Sequence, residues 1–343
     1  MLSKEVIEPE LKKLERSMRD ISRQSGGLID VSTTTDLPPE ADPLVETDDM
    51  RRVDFACHLE EPVKVLDDWN RDVHCLICGN VALPTSLCEN QVPLVLLQHF
   101  RGNLDNWDPA LVDALAADRR VVTFDNVGVG ATTGRTPNTV EAMAHDAIAF
   151  IEAMHFQRVD LLGFSIGSFV AQEIALIRSD LLRRLVLASA APQGAPGMHG
   201  WAPDVIAAVG GRKPNPQGYL DVFFAHTDSS RQAGQEAAGR IFGKTADRDE
   251  PTSWQTRQAQ YDAICAWGIP NHALLERVTG IQLPVFVANG DSDPMILPRY
   301  SQLLAGLLAD ARLKIYPDSA HGFHFQHHAE FAADVHAFLE VGD

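Results

Sequence analysis

The sequence predicts an α/β protein: a mostly parallel sheet with helices on both faces, one helical insertion and an N-terminal extension. Three observations predict it. From Pro93 onward, short runs of Val, Leu and Ile alternate with helix-like segments, as in parallel strands buried on both faces and joined by crossover helices. The alternation stops between Ala191 and Pro284, a stretch too long for a simple loop in a compact domain. It then resumes to the C-terminus.

Residues 2–23 read as a helix, with Pro9 tolerated in its first turn. Ile7, Leu11, Leu14, Met18 and Ile21 form one apolar stripe, which fits a seam between two copies of the chain or a helix docked on its own core. A homo-oligomer through this helix is therefore left open. Residues 24–50 read as an acidic linker around Ser25-Gly26-Gly27 and Pro38-Pro39. Strand-like fragments follow at Val53 to Leu59 and Val73 to Cys78. The regular part predicts strands at Leu94–Gln98, Val121–Asp125, Val159–Gly163, Leu185–Ala188, Val285–Asn289 and Leu313–Tyr316. Helices are predicted at Pro109–Ala117, Val140–Met154, Ile166–Ile177, Tyr300–Leu308 and Ala329–Leu339. The organisation is thus an extension (1–50), a first core part (51–190), a cap-like insertion (191–283) and a second core part (284–343).

With 343 residues and a formal charge of −18, the chain offers no basic stripe for a phosphate backbone or an anionic membrane. Neither nucleic acid nor membrane is expected as a partner. It has no apolar run of about 20 residues, and its charged first residues lack a signal-peptide core. A cytoplasmic location is the expectation. Five cysteines disfavour a fully paired disulfide framework. Cys75 and Cys78 lie in a strand-like run with no second pair at finger spacing, so neither metal nor cofactor is expected.

Chemistry concentrates where strands end. Val159 to Gly163 runs into Gly163-Phe164-Ser165-Ile166-Gly167 and then a helix, a strand-turn-helix that can hold a serine hydroxyl above a sheet. Serine needs a base to remove its proton and a carboxylate to orient that base. Gly290-Asp291-Ser292-Asp293-Pro294 follows one later strand and Ala320-His321-Gly322 follows another. Ser165 is the candidate nucleophile, His321 the base and Asp293 the orienting acid, with Asp291 as rival. His321 is preferred over His324, His327 and His328, which lie closer to the last helix. The Ile166 N–H, at the start of the helix, is one candidate oxyanion donor. The second is the Phe100 N–H, in the loop Gln98-His99-Phe100-Arg101-Gly102.

With Asp125-Asn126-Val127-Gly128-Val129-Gly130 added, these motifs resemble the α/β-hydrolase superfamily, in its serine esterase, haloperoxidase-like and perhydrolase-like branch. The resemblance runs from about Pro93 to Leu339. Relatives carry His-Gly where this chain has Gln98-His99. The resemblance implies an acyl-serine enzyme acting on a small molecule without a cofactor. An aromatic-rich insertion favours a small-to-medium apolar ester or lactone, with Phe100, Trp201, Phe223, Phe224 and Trp267 as candidate substrate contacts. C–C bond hydrolysis or perhydrolysis on the same triad is the alternative. A non-catalytic ligand-binding or scaffold protein is the alternative of another class.

Overall fold

The computed structural model describes the backbone of residues 53–58 and 63–78, and residues 92–213, 215–244 and 248–340. The stripe of 2–23, the linker and the oligomer seam lie outside the described residues. The strands are β1 (Val53–His58), β2 (Val63–Cys78), β3 (Leu94–Leu97), β4 (Val121–Phe124), β5 (Val159–Phe164), β6 (Leu182–Ala188), β7 (Val285–Gly290) and β8 (Ala311–Tyr316). They form one sheet in the order β1-β2-β4-β3-β5-β6-β7-β8. The six strands from β4 to β8 in that order run parallel, in five neighbouring pairs. The end of β2, Cys75 to Cys78, pairs antiparallel with β4. The Cys-x-x-C run is thus the strand its residues predict.

The central strands are buried along their whole length, as β3, β4, β5 and β7 all show, which is why their sequences read as continuous apolar runs rather than alternation. Helices flank the sheet: α1 (Pro109–Leu115), α2 (Val140–Ala153), α3 (Ile166–Ile177), α9 (Pro298–Leu307), α10 (Phe323–Gln326) and α11 (His328–Leu339). Asp108 caps α1 at the Ala110 N–H, with Pro109 at the first helical position. Thr139 caps α2 at the Ala142 N–H. Each cap satisfies a donor that the helix itself cannot. Predicted and observed bounds of these core elements differ by a few residues at most, and only the short α10 was unforeseen.

Between β6 and β7 the insertion folds as α4 (Pro203–Val209), α5 (Pro216–Phe223), α6 (Asp228–Ile241), α7 (Trp254–Trp267) and α8 (His272–Arg277). It is tied to the core by ion pairs whose acid is buried. Arg240 donates to both oxygens of Asp108 at 2.8 and 2.6 Å, and Arg277 Nη1 to Glu173 at 2.8 and 2.7 Å. Among the described residues, no helix is long and apolar enough to cross a membrane.

Parallel strands put their C-terminal ends on one side of the sheet, where ligand sites assemble. That side is walled by buried rings around Phe164. His99 lies 5.2 Å from it, His321 5.0 Å and His324 4.1 Å, centroid to centroid. Burial pushes the His99 imidazole down from 6.5 to about 3, with His321 adding repulsion. Burial likewise holds His324 well below its usual value.

Two outcomes follow. Between pH 3 and 6.5 the unfolded chain takes up a proton that folded His99 refuses, so stability falls as pH drops below 6.5. At pH 5 the loss from His99 alone is about 2 kcal/mol, and urea midpoints at pH 7.5 and 5 show a shallower fall in His99→Gln. Separately, a Cβ on Gly167 would sit 2.2 Å from the Leu97 carbonyl oxygen. Gly167→Ala is expected to lose about 1–3 kcal/mol in the same urea measurement.

Candidate active site

Ser165 sits between β5 and α3 with φ +58° and ψ −123°, a region that non-glycine residues occupy at a cost of about 1–3 kcal/mol. The turn is held by crowding on every side. A Cβ on Gly163 would lie 2.4 Å from the Gly167 oxygen, and one on Gly167 would strike the end of β3. Only side-chain-free residues permit both approaches. The Ser165 N–H donates to Ala188 O of β6 at 3.0 Å, and Ser168 N–H returns to Ser165 O at 2.8 Å. The serine is 2 % exposed.

His321 and Asp293 meet across two loops. The Nδ1–H of His321 donates to Asp293 Oδ2 at 2.8 Å. The other carboxylate oxygen accepts from the Met295 and Ile296 N–H groups at 2.8 and 3.0 Å. Asp293 is thus fixed by backbone on one side and holds the imidazole with the other. Because Nδ1 carries the proton, Nε2 presents a lone pair, and it is buried with no hydrogen-bond partner among the described residues. The rival acid has different work. Asp291 is exposed and accepts from the Asp318 and Ser319 N–H groups at 3.0 and 3.3 Å, bracing the turn that leads to His321.

Three further contacts seat the histidine loop. Its His321 and Gly322 N–H groups donate to Val222 O and Phe223 O at the end of α5, at 3.3 and 2.8 Å. Ser189, buried at φ +48°, donates to Asn289 Oδ1 at 3.0 Å and shares contact with His321 O at 3.2 Å. A Cβ on Gly290 would lie 2.4 Å from Ala320 O, so β7 and the histidine loop touch through a glycine. Of the other histidines, His324 is wholly buried in α10, His327 Nε2 bonds Pro317 O at 3.1 Å, and His328 Nδ1 bonds Phe325 O at 3.3 Å.

The loop after β3 turns at His99–Gly102, closed by Gly102 N–H to His99 O at 3.0 Å. His99 takes the place of the usual glycine, and its ring packs against Phe164 and Phe223. Its Nδ1 lies 2.9 Å from Phe100 O; only an N–H can bond a carbonyl, so Nε2 is the free acceptor. The Phe100 and Ile166 N–H groups donate to no described residue.

Not all expected aromatics gather here. The Phe223 ring is 5.2 Å from His321, and the Phe100 ring is 5.0 Å from Trp201. Trp267 instead stacks on Phe169 of α3 at 5.0 Å and donates its indole N–H to Ala191 O. Phe224 packs over Gly234 of α6 and towards Tyr219. The residues that seat the loops carry no motif that marks them in the sequence: Ser189, Asn289, and Gln260, whose Oε1 accepts from the Arg101 N–H at 2.7 Å.

Comparison with known proteins agrees with this architecture. The α/β-hydrolase fold family model matches residues 92–328. An α/β-hydrolase fold protein from Chitinophaga pinensis is 37 % identical, with a TM-score of 0.71, covering 79 % of this chain and 94 % of that one. The enol-lactonase of Burkholderia xenovorans LB400 is 22 % identical with a TM-score of 0.62 over 78 % of this chain and 96 % of its own, a likeness of fold. A RutD protein of Rhizobium rhizogenes, named for carbamate hydrolysis, is 34 % identical over 99 residues. That match takes in 28 % of this chain and spans 37 % of the relative's length. The chain belongs to the α/β-hydrolase fold family.

Proposed function

We propose that this hydrolase cleaves a small-to-medium apolar carboxylic ester or lactone through Ser165, His321 and Asp293. One observation carries the reading: the Nδ1–H of His321 donates a hydrogen bond to the backbone-fixed Asp293 carboxylate at 2.8 Å, and its buried Nε2 has no partner among the described residues. That is the tautomer a general base requires.

In the proposed reaction, Ser165 Oγ bonds to the substrate carbonyl carbon while its proton passes to His321 Nε2. The carbonyl π pair moves onto oxygen, where the Phe100 and Ile166 N–H groups receive it. Collapse breaks the bond to the alkoxide leaving group, which takes the proton from Nε2. Water then adds to the acyl-serine, losing its proton to the same nitrogen, and Ser165 recovers that proton as the acid leaves. Asp293 holds the ring in place and stabilises the imidazolium formed twice in the cycle. Burial strengthens each of these interactions by excluding water.

The rings of Phe100, Trp201 and Phe223 support an apolar acyl or alcohol group. The lactone half of the reading, like the ester half, comes from the aromatic-rich insertion; the likeness to the Burkholderia enol-lactonase is one of fold.

Turnover of p-nitrophenyl butyrate tests the assignment. Ser165→Ala lowers kcat by a factor of about 10^6, and Asp293→Asn by about 10^4. Equal rates in wild type and Ser165→Ala would remove the serine from the mechanism. For the apolar pocket, kcat/KM rises on the order of tenfold from the acetate to the butyrate ester, two methylenes at about 0.8 kcal/mol each. A flat or falling series counts against it.

A further inference from the structure

We propose that Gln260, on α7 of the insertion, is a positioning residue for the oxyanion site: it holds the peptide after Phe100 and thereby aims the Phe100 N–H. The inference rests on the hydrolase reading above. The peptide joining Phe100 to Arg101 is gripped at both ends. Its carbonyl accepts from His99 Nδ1–H at 2.9 Å, and its N–H donates to Gln260 Oε1 at 2.7 Å.

The second grip comes from 159 positions away. Arg101 has φ +65°, a conformation that a long side chain does not keep unless its surroundings impose it. What imposes it is the insertion. Besides Gln260, Thr252 Oγ1 donates to Arg101 O, and Arg101 Nη1 donates to Gly211 O at 2.7 Å and Val209 O at 3.4 Å. Gln260 is 1 % exposed, so water does not readily replace its oxygen. Without this acceptor the peptide plane turns about the Phe100 and Arg101 dihedrals, and the adjoining Phe100 N–H leaves its line. The insertion itself does not need the bond to stay docked, since Arg240–Asp108 and Arg277–Glu173 anchor it elsewhere.

The test uses the full chain and a fluorophosphonate, which reports on oxyanion stabilisation before any natural substrate is identified. The Ser165 Oγ–phosphorus bond forms, fluoride leaves and the serine proton passes to His321. Gln260→Met keeps the volume and removes the acceptor, whereas Gln260→Glu keeps an acceptor oxygen and removes the amide donor. The labelling rate is expected to fall at least about tenfold in Gln260→Met, short of the ~10^2–10^3 for deleting an oxyanion donor, and to recover to within about threefold in Gln260→Glu. With p-nitrophenyl butyrate, kcat falls by the same factor while KM holds, a split that loosened packing alone does not produce. Thr252→Val shows a smaller loss in the same direction, and serves if Gln260→Met does not fold.

Labelling at the wild-type rate in Gln260→Met, or in Thr252→Val where the first variant is unfolded, overturns the proposal. Equal slowing in Gln260→Met and Gln260→Glu overturns it as well, because the acceptor is then irrelevant. Labelling that persists in Ser165→Ala overturns the nucleophile assignment, and this proposal with it. Loss of label in Ser165→Ala beside an unaffected Gln260→Met removes Gln260 alone.

Discussion

The approach of α3 to the end of β3 is the constraint on which the rest of the site depends. At Gly167 the helix backbone comes so near Leu97 that a methyl group would lie 2.2 Å from its carbonyl oxygen. Because the two elements touch backbone to backbone, the first N–H of the helix and the loop leaving the strand end up beside the same serine. Gly163, near the end of β5, makes the equivalent concession to the backbone of α3. The strained Ser165 then has nowhere to relax, since β5, β6 and α3 are packed around it. Two missing side chains set the geometry from which the proposed nucleophile and both proposed oxyanion donors follow.

The insertion reaches into that geometry from above at two points. Carbonyls at the end of α5 receive the N–H groups of His321 and Gly322, and α7 supplies the acceptor for the Arg101 N–H. The loops that carry the proposed base and the proposed oxyanion donor are therefore each seated on core and insertion together. Buried acids at Asp108 and Glu173 hold the insertion by bidentate or paired contacts, the kind of ion pair whose disruption leaves an uncompensated charge. Docking of the insertion is thus specified by charge as well as by apolar packing.

Much of this was legible in the sequence because its signals are local. A strand end is where an apolar run stops, and Ser165, Asp293 and His321 each stand just past such a stop. Glycine at 163 and 167 has a reason that can be read from the turn alone. The sequence favours Asp293 but leaves Asp291 as its rival, since two residues apart in one loop only side-chain direction separates a carboxylate bonded to His321 from one bonded to Asp318 N–H. Aromatic content predicted a ring-rich insertion without saying where each ring points, so Trp267, turned onto Phe169, reads the same as Phe223, turned onto His321. Gln260 was invisible for a different reason: its α7 carries three glutamines, and nothing in the chain marks which one meets a loop so distant in sequence.

Seating of both loops on the insertion limits how such an enzyme can diversify. A graft of the corresponding helices from a relative would bring new walls and, at the same stroke, reposition the carbonyls of Val222 and Phe223 and exchange the Gln260 side chain. Specificity and turnover are then inherited together, as one unit. For this chain the open route to a new substrate is replacement of a single proposed wall residue such as Trp201, which precedes α4, because that change leaves the Val222 and Phe223 carbonyls and the Gln260 side chain in place.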